Sequence, residues 1–191
     1  RFVPYITTLE HRLSLIAALG VDVCVVVKFD RRFSSESSEQ FVDDFLVKQL
    51  HVKKVIIGRD FHFGHGRKGT VSLLRAMGRE RGFSVEQINI LKNININIKS
   101  TRVKELISVG DLVSLRRFLA RPYSFLGQVE RGDGRGRKIG YPTANLRKEN
   151  VVILPSGIYL VRALWRKKTF NGLCYIGRRP TFKRAGARVI Q

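Results

Sequence analysis

The feature that most constrains the fold is an alternation. Over the first 120 residues, β-branched runs take turns with capped segments of helical period. Thr7-Thr8-Leu9-Glu10 reads as a capping box, a Thr hydroxyl at the N-cap with Glu three residues on. Leu9, Leu13, Ile16 and Ala17 follow at helical spacing, and Gly20 closes the segment. "VDVCVVVKF" comes next, an apolar run without polar alternation, and reads as a strand buried on both faces. Ser37-Ser38-Glu39-Gln40 opens a second helix with Phe41, Phe45 and Leu46 on one side. "VKKVIIG" reads as a strand, "TVSLLRAMGRERG" as a helix and "FSVEQINI" as a strand, while "STRVKELISVG" and "DLVSLRRFLAR" read as two helices. Such alternation with short turns predicts a parallel sheet wrapped by helices. Ligands of such sheets sit beyond the carboxyl ends of the strands, so the loop leaving "VIIG" is a predicted site.

The pattern changes at Arg121-Pro122, where proline ends the helix. "SFLGQVE", "VVIL", "GIYLVRALW" and "FNGLCYIG" follow as strand candidates between Gly, Pro and charged turns. They predict a second, all-β domain, a small barrel or sandwich. The boundaries are therefore 1–120 and 121–191. "NININI" at 93–98 reads as an extended connector.

Charge limits the partners. Thirty-six Lys and Arg against 15 Asp and Glu give +21, a field that attracts polyanions. No apolar run is long enough to span a membrane. Cys24 and Cys174 lie far apart in apolar runs, with no CxxC and no Cys/His metal spacing. They read as buried, reduced thiols, which suits a cytoplasmic protein.

Four stretches could carry chemistry. In "GRDFHFGHGRKG" (58–69), glycines permit close backbone approach, Phe61 and Phe63 offer flat faces, and Arg59, Arg67 and Lys68 offer charge. The alternative is a surface loop that tucks its phenylalanines into the core. Within it, His62-Phe63-Gly64-His65 spells HxGH, a phosphate-binding signature of nucleotidyltransferases. That signature needs the first strand and a helix immediately after it. Here the helix starts only at about Thr70, so the match reads as chance. In "KSTRVKEL" (99–106), Ser100 and Thr101 bring hydroxyls to a helix N-terminus and Arg102 and Lys104 add charge, an anion site or an ordinary N-cap.

The fourth stretch is "RGDGRGRKIGYPTAN" (131–145). Its glycines let backbone approach a ligand, and successive N–H groups in such turns form anion-binding nests. Thr143 and Asn145 supply neutral oxygens of the kind that suit a Mg²⁺ already carrying phosphate. A basic hairpin would explain the Gly and Arg but not the neutral Pro-Thr-Ala-Asn at its end.

Together these residues resemble the bifunctional bacterial riboflavin kinase/FAD synthetase family. "TTLEHRLSLIAALGVD", "GRDFHFGHGRKG" and "STRVKE" resemble the later part of its FMN adenylyltransferase domain. "GQVERGDGRGRKIGYPTANL", "GIYLVRA" and "IGRRPTF" resemble the start of its riboflavin kinase domain. The resemblance implies an α/β, Rossmann-like nucleotidyltransferase domain followed by a small all-β riboflavin kinase barrel, each present in part. It implies two transfers. Riboflavin takes the γ-phosphoryl of ATP to give FMN, and FMN attacks the α-phosphorus of a second ATP to give FAD and pyrophosphate.

The resemblance also implies site residues. Thr143 and Asn145 would hold Mg²⁺ and ATP phosphates, and the loop with Gly132, Arg135, Gly136, Arg137 and Gly140 would cover nucleotide and flavin. Asp60, Phe61, Phe63, Gly64 and Arg67 would line the flavin side of the transferase site, and Ser100, Thr101, Arg102 and Lys104 would meet ATP phosphates. Lys99 and Lys104 stand where the family usually has Ser and Arg; Lys104 keeps the charge but not the planar fork. The transferase HxGH is expected before Arg1 and the kinase's catalytic Glu at or just beyond Gln191. The 191 residues are then an internal stretch with both sites incomplete. The rival reading is a non-catalytic basic module that binds nucleic acid by phosphate contact and stacking. Against it stand aromatics at core-like spacing and the absence of an RNA or DNA motif, so specific nucleic-acid binding is not expected.

Overall fold

The computed structural model describes residues 4–88, 99–131, 136, 140–147, 149, 151–178 and 188–191. Gly132, Arg135 and Arg137, the "NININI" run and the "RPTF" stretch lie outside the described residues. By their contacts the residues group into two compact units, Val25–Asn95 and Arg1–Cys24 with Ile96–Gln191.

In the first unit, α2 (Arg31–Ser34) leads into α3 (Ser38–Gln40), which continues as a π-helical segment, Phe41–Gln49. Ser37 caps α3 in a full capping box. Its hydroxyl accepts from the Gln40 N–H and the Gln40 side chain accepts from the Ser37 N–H. β1 (Lys54–Gly58), α4 (Val71–Arg81) and β2 (Ser84–Ile88) follow, with β1 and β2 parallel from Lys54↔Ser84 to Gly58↔Ile88. Two parallel strands with an intervening helix are the predicted βαβ crossover. Thr70 caps α4 through its hydroxyl, and Gly82, at φ +79°, ends it in the left-handed conformation. Val42, Leu46, Ile57, Phe63, Leu74, Met77 and Phe83 form the core. Gly78 is required there, because a Cβ would fall 2.7 Å from the Phe83 carbonyl oxygen. The Arg81 guanidinium grips both carboxylate oxygens of Asp43, tying α4 to the π-helical segment and holding the Asp43 pKa below its ordinary value.

In the second unit, α1 (Leu9–Ala17), α5 (Ser100–Val109) and α6 (Leu112–Leu119) accompany an antiparallel sheet. Its strands are β3 (Val129–Glu130), β4 (Asn145–Leu146), β5 (Gly157–Trp165), β6 (Lys168–Arg178) and β7 (Arg188–Ile190), in the order β3-β4-β7-β6-β5. A closing pair between the two edge strands is absent among the described residues. β5 and β6 form a hairpin through a two-residue turn. Arg166 and Lys167 both take positive φ there, and the Arg166 guanidinium lies 4.6 Å from the centre of the Trp165 ring. The core joins Val103, Leu106 and Ile107 of α5 and Leu115 of α6 to Cys174, Ile176 and Ile190 of the sheet. The other face of the hairpin leaves Ile158, Leu160 and Leu173 exposed. Tyr123, whose hydroxyl donates to the Val152 carbonyl at 2.7 Å, is desolvated enough to raise its pKa to about 12.

Several sequence expectations are corrected. "VDVCVVVKF" forms no strand; Val23 and Phe29 are each 77% exposed, and Cys24 is exposed while Cys174 is buried. β-branched residues favour extended backbone, but a strand also needs a neighbour to pair with. No ladder among the described residues includes this run. The α1 cap is Thr8, which accepts from the His11 N–H at 3.2 Å, so Thr7 and Glu10 make no capping box. Of "SFLGQVE" only Val129 and Glu130 enter a ladder, and "VVIL" contributes one bridge, Tyr5↔Val151. β4 and β7 were not foreseen.

Two predictions follow the packing. Leu74 is fully buried. Leu74→Ala should destabilise its unit by about 2–5 kcal/mol in denaturant unfolding, the usual range for a core Leu→Ala. His11 is buried beside Ser124, and its pKa is lowered from the ordinary 6.5 by desolvation and then by the charge of Arg121. The fold therefore favours neutral imidazole, and below pH 6.5 the unfolded chain takes up the proton first. Stability from this group is full above 6.5 and declines as pH falls through the depressed folded value. A thermal melt series should show that decline in wild type and a flatter profile in His11→Asn.

Candidate functional site

The turn before β4 is built by backbone. Tyr141 N–H donates to the Gly136 carbonyl at 2.8 Å, closing the chain on itself. Gly136 lies so close to this turn that a Cβ would collide with the Tyr141 carbonyl oxygen and sit 3.1 Å from Thr143 Oγ1. Gly140 takes φ +84°, a conformation that a side chain at this position would strain. The chain then presents Tyr141, Pro142, Thr143 and Ala144 to solvent and enters β4 at half-buried Asn145.

β7 lies between β4 and β6, pairing Leu146↔Ile190 and Ile176↔Ile190. The residue after β7, Gln191, continues the ladder. Its N–H donates to the Tyr175 carbonyl at 2.9 Å and its carbonyl accepts from the Tyr175 N–H at 2.7 Å. So placed, the Gln191 amide donates to Thr143 Oγ1 at 2.9 Å. This contact is the site feature that sequence reasoning missed. It joins positions 48 apart through strand pairing that no local pattern announces.

The loop leaving β1 is shaped by its aromatics. Phe63 and Gly69 exchange backbone hydrogen bonds of 3.1 and 2.8 Å, closing the loop at its base. Phe63 is buried, stacks on half-buried Phe61 at 5.7 Å and touches Phe41 at 5.6 Å, so it serves the core. Gly64, at φ +71°, packs its α-carbon against Ser38; a Cβ would stand 2.5 Å from that hydroxyl. Asp60 and Arg67 are exposed. His62 Nδ1 lies 3.1 Å from the Asp60 carbonyl and His65 Nδ1 3.1 Å from the Ser34 carbonyl. Since α4 begins at Val71, both histidines stand well before the helix.

Ser100 and Thr101 open α5 in the other unit, after an N-cap, Lys99, that makes no side-chain cap bond. Ser100, Thr101 and Arg102 are exposed and Lys104 is half-buried. Arg102 pairs with Glu105 at 3.0 Å one turn along. Exposed hydroxyls and free N–H groups at a helix start fit an anion.

Among the described residues no three His, Cys, Asp or Glu side chains cluster as a metal cage. The donors offered at 143–145 are neutral oxygens. Such a set fits a hard cation that brings phosphate ligands with it rather than one held by protein alone. Nor is any helix among the described residues long and apolar enough to cross a membrane.

The comparisons follow the same order along the chain. The riboflavin kinase family matches residues 119–190. Bifunctional riboflavin kinase/FMN adenylyltransferases are similar throughout. That of Buchnera aphidicola subsp. Schizaphis graminum is 36% identical over 179 residues, 93% of this chain and 57% of that protein. That of Escherichia coli K12 is 37% identical over 177 residues, 92% of this chain and 56% of that protein. That of Listeria monocytogenes is 37% identical over 182 residues, 95% of this chain and 57% of that protein. The chain thus spans less than two thirds of the curated relatives it matches. A crystal structure described as a macrolide-efflux protein from Streptococcus pneumoniae superimposes with a TM-score of 0.75 at 26% identity, covering 97% of this chain and 60% of that one. The FAD synthetase family itself matches residues 2–102, more than half of the chain, and the chain belongs to that family.

Proposed function

We propose that this chain serves FAD biosynthesis, carrying parts of two ATP-dependent sites. One transfers the γ-phosphoryl of ATP to riboflavin, giving FMN and ADP. The other transfers the adenylyl group of ATP to FMN, giving FAD and pyrophosphate. The observation that carries the reading is the order of the two families along one chain, FAD synthetase at 2–102 and riboflavin kinase at 119–190. That order also supports a functional division near residue 120, although α5 and α6 pack with the sheet. The relatives' printed activities support both reactions.

In the kinase part, Thr143 and Asn145 would hold a Mg²⁺ that arrives with ATP, and bound Mg²⁺ would neutralise phosphate charge during transfer. Gly136 and Gly140 let the backbone before Thr143 turn tightly enough for a phosphate to approach; Gly132, Arg135 and Arg137 would complete that cover. In the transferase part, Asp60, Phe61, Gly64 and Arg67 would line the flavin side, with Phe63 as the support beneath Phe61. Ser100, Thr101, Arg102 and Lys104 would meet ATP phosphates. The charge of +21 would draw nucleotides in by attraction that salt screens. The setting this chemistry suits is the cytoplasm.

Flavin fluorescence tests the reading. Riboflavin titrated into the chain with Mg-ADP should be quenched on binding. Thr143→Ala should weaken that response roughly tenfold or more, the scale of one strong polar contact. No flavin response, with tight and salt-sensitive oligonucleotide binding instead, would favour a nucleic-acid module.

A further inference from the structure

We propose that Gln191 is a positioning residue for Thr143, fixing its hydroxyl for the nucleotide-borne cation. The inference deepens the kinase reading and rests on it. A threonine hydroxyl has one O–H to donate and two lone pairs to offer. Thr143 lies exposed on a turn, where an unheld hydroxyl would move among staggered rotamers. The Gln191 amide donates to Oγ1 at 2.9 Å and occupies one lone pair, so the other lone pair and the O–H acquire a set direction. Gln191 is itself held by both backbone hydrogen bonds to Tyr175, at 2.7 and 2.9 Å. Its side chain thus carries the rigidity of the β6–β7 ladder to the turn. Gly136 also crowds this hydroxyl, since a Cβ there would stand 3.1 Å from Oγ1. A hydroxyl fixed before the ligand arrives costs less ordering when the ligand binds.

The Gln191 side chain is also uncharged. It directs the oxygen without adding a negative charge that would hold a cation in the absence of nucleotide. The metal requirement is then expressed only with phosphate present.

The test is the Mg²⁺ dependence of ADP binding to the full chain, measured by calorimetry, with thermal midpoints taken on the same samples. Gln191→Ala should raise the half-saturating Mg²⁺ concentration roughly three- to tenfold, the scale of one neutral hydrogen bond, and leave metal-free ADP binding unchanged. Gln191→Glu keeps the contact by accepting the Thr143 O–H, and should hold the requirement at or below the wild-type value. Thr143→Ala should raise it too, and the double variant should add nothing further. An unchanged requirement in Gln191→Ala, or full additivity with Thr143→Ala, would overturn the positioning role while leaving the kinase reading intact. An unchanged requirement in Thr143→Ala would overturn both. If Gln191→Ala does not fold, Gln191→Glu and Gln191→Asn decide: equal Mg²⁺ requirements in the two would contradict the proposal, since the shorter amide cannot reach Oγ1.

Discussion

Strand pairing through β7 is the constraint on which the part of the chain similar to the riboflavin kinase family depends. Arg188–Ile190 lies between β4 and β6, pairing with β6 along its length and with β4 at Ile190. Ile190 also enters the core beside Leu106, Ile107 and Cys174. Its side chain therefore fixes β7 from below while its backbone fixes β4 from the side. The next residue, Gln191, meets Thr143 only because this register is held. A slip of one residue would turn Ile190 out of the core and carry the Gln191 amide away from the turn. Burial and site geometry are thus one arrangement here.

The Val25–Asn95 unit works differently. β1 and β2 are parallel, and the loop beyond β1 is closed by the Phe63–Gly69 backbone pair and packed by phenylalanines. Phe63 is a structural support, while Asp60 and Arg67 around it are exposed. Of the two readings of that loop, the core contribution is seen at Phe63.

The sequence was legible where local physics decides. The helices at 71–81, 100–109 and 112–119 follow from their period, helped by the Thr70 and Asp111 caps and by the left-handed glycines that end the first two. The hairpin of β5 and β6 follows from two long β-prone runs. It was not legible where a distant partner decides. "VDVCVVVKF" has the composition of a buried strand yet lies exposed, because composition cannot supply a neighbour. β4 hides inside Pro-Thr-Ala-Asn, whose turn chemistry drew attention to Thr143 and Asn145 but masked the start of a strand. Residue type singled out Thr143 as a candidate, whereas its contact with Gln191 needed the fold.

The central claim is that the turn leading into β4 grips a metal-bound nucleotide beside a flavin. Paramagnetic relaxation with Mn²⁺-ADP in place of Mg²⁺-ADP measures it directly, residue by residue, in the assigned amide spectrum. The account predicts selective broadening at Thr143, Ala144, Asn145 and Gln191, strengthened by riboflavin. Unbroadened signals at those four residues, with broadening confined to 60–67 or scattered over the basic surface, would contradict it.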